Sequence, residues 1–293
     1  MRLAAISAGA AVPTERFTGV VHSVFRQACN IRTGRDGLLT LLGSTLGNAP
    51  YGVRVGLPAG LAFSDRLRPG QRVGCRAAVL RVAGADFAVD LGAAEVWRCE
   101  LGSPCIDLAR PAVASAWQTA WQALARHCRR PGVDPLTDSV HLGGWALAHA
   151  SRSRCAPAAA AAIGRLIGRG PGLTPAGDDL IVGFLAGLWS TRGDDPARRR
   201  FLDRLAAIVD GAAAATGEIS RSHLRHATSG SVAEALAGLV RAIGEGDPPP
   251  EVGRAAGMAL SVGHTSGGDG VFGLLLGIAC WSSRLTGREL SHG

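Results

Sequence analysis

Two short segments of this 293-residue chain gather the residue types that could do chemistry. The first, Gly168-Arg-Gly-Pro-Gly-Leu-Thr-Pro-Ala-Gly-Asp-Asp179, packs four glycines, two prolines, a hydroxyl and two adjacent carboxylates ahead of an apolar run, Leu180 to Trp189. The second, Gly263-His-Thr-Ser-Gly-Gly-Asp269, repeats that logic before another apolar run, Phe272 to Cys280. Glycines let a backbone approach a ligand closely, and free N–H groups at a helix start favour an anion. The same place can aim carboxylates at a metal or at a reacting proton. Capping a helix takes one carboxylate and contributes about 1 kcal/mol, so it accounts for Asp178 or Asp179 but not for both. His264 adds the one side chain that titrates near neutrality. The catalytic candidates are therefore Asp178, Asp179, His264 and Asp269. The substrate-binding candidates are Arg169, Gly170, Gly172, Leu173, Thr174 and Gly177 from the first segment, and Thr265, Ser266 and Gly267 from the second. Both helix starts are expected to converge on one pocket.

A third segment, Thr216 to Ala227, is polar and helical in pattern. Ser220 and Arg221, with Arg225, could line an anion site. His223 and His226 are three apart and could face one metal, but no third ligand stands near them in the sequence. A solvated helix face is the alternative reading of most of this stretch.

The elements that must position these residues differ between the two halves of the chain. From Thr18 to about Glu100, short stretches rich in β-branched residues, Leu and Arg are broken by Gly, Pro and Asn: Gly19–Phe25, Gly37–Leu42, Gly52–Leu57, Arg72–Val82 and Phe87–Leu91. Gly84-Ala-Asp separates the last two as a hairpin turn would. From Pro111 the texture becomes Ala-rich and helical. Trp117, Trp121 and Leu124 fall at i, i+4 and i+7, one helix face, within a helix over 112–128. Further helices are expected over 138–150, 156–167, 179–191, 196–215, 219–228, 231–244, 250–260 and 269–285. Pro196 after Asp194 and Asp195 is a good start signal. The glycines inside the apolar runs, Gly183, Gly187, Gly273 and Gly277 among them, suggest close helix–helix approach. The expected fold class is α+β: a small antiparallel β barrel-like domain over 1–105, then a larger all-helical domain over 106–293 that carries the glycine-rich loops.

Composition narrows the chemistry. The net charge is +8, yet all 31 basic residues are Arg and none is Lys. Schiff-base chemistry, a Walker-type phosphate loop and a Ser-Lys dyad all need an ammonium group, and all three are excluded. The arginines are dispersed rather than gathered into a stripe, and aromatics make up only 5% of the chain; both argue against nucleic-acid binding. The seven cysteines never form a Cys-x-x-Cys pair, which argues against a disulfide framework or structural zinc. The apolar N-terminal stretch, Leu3 to Val12, is too short to span a bilayer. A cytoplasmic protein without membrane contact is expected.

The three segments together resemble the oxamate carbamoyltransferase AllH-type subunit family, formerly a domain family of unknown function. The family pattern Gly-x-Gly-Pro-Gly-Leu-Thr-Pro-x-Gly-Asp-Asp is matched without departure at Gly168 to Asp179. A middle Thr-x-x-Ser segment matches loosely at Thr216 to Gly230. Gly-His-Thr-Ser-Gly-x-Asp matches at Gly263 to Asp269. The resemblance covers about 110 residues firmly and is general in the β half. It implies an oligomeric enzyme subunit, with companion carbamoyltransferase subunits, acting in anaerobic allantoin breakdown, a branch of purine degradation. It implies too that the chain helps move a carbamoyl group between phosphate and oxamate. Both are small anions, suited to backbone N–H cradles and to Arg clamps such as Arg169 and Arg221. Carbamoyl transfer passes through a tetrahedral oxyanion that helix-start donors would stabilise, and His264 could relay the proton.

This reading fixes no cofactor and leaves magnesium open. Two alternatives stand beside it. One is a magnesium-dependent hydrolase of ADP-ribosylglycohydrolase type, with Asp178, Asp179 and Asp269 holding the metal, since hard cations take carboxylate oxygens. The Asp-x-Asp-Thr segment of those proteins is missing. The other is a non-catalytic scaffold subunit that senses an anion.

Overall fold

The structure is a computed structural model that describes residues 1–34, 37–101, 105–130, 138–263 and 265–282. The chain divides into two compact units, Met1–Cys99 and Glu100–Gly293, and the fold is α+β.

The first unit is a closed barrel. Its strands are β1 (Arg2–Gly9), β2 (Phe17–Val24), β3 (Ala28–Thr33), β4 (Gly37–Gly43), β5 (Gly52–Val55), β6 (Arg72–Arg76), β7 (Val79–Val82), β8 (Ala88–Asp90) and β9 (Glu95–Trp97). They follow one another in the order β5-β4-β3-β2-β6-β7-β8-β1, and β1 pairs back onto β5, so eight strands close the ring. β9 continues the β8 edge by pairing with the far half of β1. Most pairings are antiparallel, but β1 runs parallel to β8 and β9, and β4 runs parallel to β5. Ile31, Leu39, Leu41, Val53, Leu80 and Val89 fill the interior, and a four-residue helix, α1 (Phe63–Arg66), adds Phe63, whose ring meets Phe87 edge-on at 6.0 Å.

Three features of this unit depart from the sequence expectation. The apolar N-terminal stretch is strand β1, at the seam of the barrel. The single run expected over Arg72–Val82 is two strands, β6 and β7, joined at Ala77 and Ala78, both with positive φ (49° and 58°). Such a turn ordinarily announces itself with Asn-Gly or Asp-Gly; two alanines give no signal. β3, whose Asn30 and Thr40 on β4 share a buried hydrogen bond of 2.7 Å, was hidden by that polar pair.

The second unit is helical among the described residues. It comprises α2 (Pro111–Cys128), α3 (Asp138–Arg152), α4 (Ala156–Leu166), α5 (Ala176–Thr191), α6 (Pro196–Ala212), a 3-10 turn (Ala213–Ala215), α7 (Glu218–Thr228), α8 (Glu234–Glu245), α9 (Pro249–Leu260) and α10 (Ser266–Ala279). Prolines stand in the first turn of α2, α4, α6 and α9, where a missing N–H costs nothing. Asp195 caps α6 by accepting from Ala197 N–H at 2.7 Å.

α5 and α10 are apolar all round and buried along almost their whole length, as helices at the centre of a large core must be. They lie backbone to backbone. A Cβ on Gly183 would run into the Gly270 carbonyl, one on Gly187 would stand 2.5 Å from the Leu274 carbonyl, and ones on Gly273 and Gly277 would strike the Leu180 and Phe184 carbonyls. Contacts advance together along both helices, so the two run parallel and start at the same end of the unit. α2 runs antiparallel to α10. Trp117 Nε1–H donates to the Leu275 carbonyl at 3.1 Å, Trp121 meets Phe272 edge-on at 5.9 Å, and His127 reaches the neighbourhood of Gly268.

Candidate functional site

Parallel packing of α5 and α10 brings the first and second segments side by side, and a direct contact joins them. Thr174 Oγ1 and Ser266 Oγ lie 2.9 Å apart, one hydroxyl donating to the other. Below this bridge sit two buried carboxyls, Asp179 in the first turn of α5 and Asp269 in the first turn of α10, 9% and 3% exposed. Burial is the main force on both. It pushes Asp179 up to about 8, with further upward pushes from the Asp269 and Asp178 charges and a downward pull from the Ser266 and Thr174 hydroxyls. It pushes Asp269 up to about 7. Asp179 Oδ2 is buried and accepts no hydrogen bond among the described residues. A buried, unpartnered carboxyl oxygen is costly to keep.

Asp178 has a different occupation although it is adjacent. Its Oδ1 accepts from the Gly168 N–H at 2.8 Å and its Oδ2 accepts from the Thr216 hydroxyl. It is thus a brace between the entrance of the first loop and the segment leading into α7. Thr216 heads the third segment, yet it was not among the candidate site residues, because its link to Asp178 spans 38 residues.

The loop between α4 and α5 is shaped by close approach. Gly170 has φ +118°, and a Cβ there would stand 2.8 Å from the Ala176 nitrogen. Gly177 N–H donates to the Arg169 carbonyl at 2.9 Å, and a Cβ on Gly177 would strike the Leu166 carbonyl. Arg169, Gly170, Gly172 and Leu173 are exposed, Leu173 to 45%. In the second segment the Thr265 carbonyl accepts from the Gly268 and Asp269 N–H groups at 2.9 and 3.3 Å, and Gly267 is buried against the end of α9. His264 lies outside the described residues.

The third segment sits on α7. Ser220 is fully buried and its hydroxyl has no partner among the described residues. Arg221 reaches back to the Ala213 and Thr216 carbonyls at 3.1 and 3.2 Å, closing the turn before the helix. His223 and His226 are half-buried. Burial, and for His223 also repulsion by His226, lowers both, His223 to about 4. Neutral imidazoles can ligate metals, but among the described residues no group of three or more His, Cys, Asp and Glu side chains is placed to hold one.

The structure adds a wall that the sequence did not suggest. The last turn of α2 brings Cys128 within the field of Asp269; burial and that charge raise its thiol. His127 beside it is lowered by burial. Phe272, one turn beyond Asp269, lies 4.4 Å from His141 of α3 with the two rings tilted by 52°, and meets Trp121 and Trp145 edge-on. Trp121 and Cys128 are seven apart and share a face of α2, so a heptad reading of that helix would have found the pair.

A closed barrel followed by a helical unit, with two parallel helix starts presenting buried carboxyls, defines the class of this protein: a two-unit α+β chain with its candidate site in the helical unit. Comparison with known families makes this specific. The family described as oxamate carbamoyltransferase subunit AllH matches residues 166–278, and the AllH family N-terminal domain matches residues 4–96. The chain belongs to the AllH family. No solved structure matches it. Among the described residues no helix is long and apolar enough to cross a membrane.

Proposed function

We propose that this chain is the subunit of an oxamate carbamoyltransferase that holds the small substrates, carbamoyl phosphate and oxamate, at the paired starts of α5 and α10. The observation that carries the reading is the Thr174–Ser266 hydroxyl bridge over Asp179 and Asp269, which makes one locus of the two segments most characteristic of the family. In the transfer the oxamate amide nitrogen attacks the carbamoyl carbon, the carbon–oxygen bond to phosphate breaks, and the proton of the attacking nitrogen leaves to a base. A carboxyl whose pKa lies near neutrality is matched to that proton transfer, and Asp179 and Asp269 have such values. The N–H groups of Gly177, Asp178 and Asp179 on α5 and of Gly267, Gly268 and Asp269 on α10 already donate to backbone carbonyls, so stabilising the oxygen that becomes negative falls to the Thr174 and Ser266 hydroxyls. Gly170, Gly172 and Gly177 shape the approach, and Arg169, Ser220 and Arg221 remain anion-binding candidates. His264 stays the candidate relay. The same reading carries with it companion subunits in an oligomer, a cytoplasmic setting and a place in anaerobic allantoin breakdown.

The test is carbamoyl transfer by the chain assembled with its companion subunits. Asp179→Ala and Asp269→Ala should each lower kcat by about 100-fold or more, while thermal unfolding shows the variants folded. Undiminished turnover in both would sink the proposal and favour a scaffold role. A large thermal stabilisation by magnesium or manganese, with none by oxamate or carbamoyl phosphate, would favour the hydrolase instead.

A further inference from the structure

Three carboxyl groups, Asp178, Asp179 and Asp269, occupy the first turns of α5 and α10. A helix start attracts negative charge through its free N–H groups and dipole, but here the N–H groups of Gly177, Asp178, Asp179, Gly267, Gly268 and Asp269 donate to backbone carbonyls and the dipoles already face the protein's own carboxyls. A second anion brought against Asp179 and Asp269 would meet like charge in a buried place. The end of the substrate that seats there must therefore be the uncharged end.

We propose that the Asp179–Asp269 pair recognises a primary carboxamide, Asp179 Oδ2 meeting its carbonyl oxygen and Asp269 meeting its amide N–H. The inference rests on the functional reading above and names which end of an oxamate-like substrate enters first. Its geometric support is independent of the helix dipoles: Asp179 is 9% exposed, and its Oδ2 has no partner among the described residues although it lies at the junction of the two helices. A carboxyl pair that holds one proton offers one donor and one acceptor, the complement of an amide's C=O and N–H. The groups around the pair favour keeping that proton. Asp178 adds negative charge from α5, the Cys128 thiol at the end of α2 carries no positive charge, and burial lowers His127 beside it. Burial raises both carboxyls toward or above neutrality, as described. The bridging hydroxyls of Thr174 and Ser266 can each donate or accept, so they can complete the amide's remaining bonds. With the amide nitrogen on Asp269, the group that must lose a proton on carbamoylation lies against a carboxylate able to take it. The substrate's own carboxylate is then directed away from the three acids.

The experiment is calorimetric titration of the full chain with oxamate, oxamide and oxalate, ligands of one size with one, two and no amide groups. Oxamate and oxamide are expected to bind, with oxalate at least about tenfold weaker, because a site built for an N–H rejects the analogue that lacks it. Asp179→Asn, which keeps a donor, should hold oxamate within about threefold, while Asp179→Leu should weaken it by about tenfold or more. Thermal unfolding of the Leu variant checks its fold, and the ligand series on the unaltered chain does not depend on it. Oxalate binding as tightly as oxamate overturns the carboxamide inference and leaves the functional reading standing. A parallel titration with carbamoyl phosphate separates the two readings, and binding of neither oxamate nor carbamoyl phosphate overturns both.

Discussion

The starts of α5 and α10 look alike in sequence and are built differently. The α5 start is braced from outside: Asp178 accepts from Gly168 and Thr216 and so pins the loop to the segment before α7. Among the described residues the α10 start has no such brace. It is set by its own backbone turn at Thr265, by Gly267 against the end of α9, and by the Ser266 hydroxyl on Thr174. Two neighbouring aspartates on α5 thereby separate into one that braces the loop and one, Asp179, whose buried carboxyl is left for the proposed chemistry and is matched across the helix pair by the single aspartate of α10. Under the proposed function the two carboxylates divide the labour: one holds the loop while the other serves the site.

The largest expected effect breaks both starts together. In Gly183→Ala the new methyl would strike the Gly270 carbonyl, a backbone atom that cannot swing away. Overpacking of this kind should cost about 3 kcal/mol, read as a fall in Tm of roughly 6–12 °C, with loss of ligand binding. A second substitution separates the two starts. Asp178→Ala leaves the Gly168 N–H and the Thr216 hydroxyl without their acceptor, at a cost of about 2 kcal/mol. Amide exchange should rise across 168–174 and stay unchanged in α10. Equal loosening of both starts would mean that the brace serves the whole helix pair.

The effect smallest at any single step concerns charge. A carboxyl raised on folding stabilises the native state below its ordinary range, and that contribution is lost as pH rises through the folded value. For Asp179 the window runs from ordinary carboxylate values up to about 8, and for Asp269 up to about 7. Stability should therefore fall as pH rises through this window, by at most about 1.4 kcal/mol per pH unit for each proton. Asp179→Asn should remove the part of the slope that extends between pH 7 and 8, and Asp269→Asn only the part below about 7. Denaturant unfolding at pH 5, 6, 7 and 8 measures both, and identical slopes for the two variants would contradict the order of the two carboxyls.

Much of the helical unit was legible in the sequence. Pro196 with Asp195 marked the start of α6, the apolar runs marked α5 and α10, and the glycines four apart within them foretold helices in backbone contact. These are local signals: a period, a cap, a missing Cβ. The barrel was less legible. Its closing strand, β1, was read only as a short apolar terminus, because a strand at a seam is defined by partners at residues 53–55, 88–90 and 95–97, far along the chain. The α2 wall of the site was legible only as a shared helix face, for the same reason. Trp121 and Cys128 share a face, but only antiparallel packing on α10 turns that face toward Phe272 and Asp269.

By itself the sequence determined which residue types could act, that no lysine chemistry was available, that two glycine-rich helix starts carry the carboxylates, and which family the pattern resembles. Periodicity and side-chain chemistry are properties of the chain and need no coordinates. Tertiary structure alone decided that α5 and α10 run parallel and so place Asp179 beside Asp269, and that Asp178 turns away to Gly168 and Thr216. It also decided that burial, rather than residue type, raises the two remaining carboxyls toward neutrality. Distance, direction and desolvation are relations between segments some ninety residues apart, and only the folded chain brings them within reach of one another.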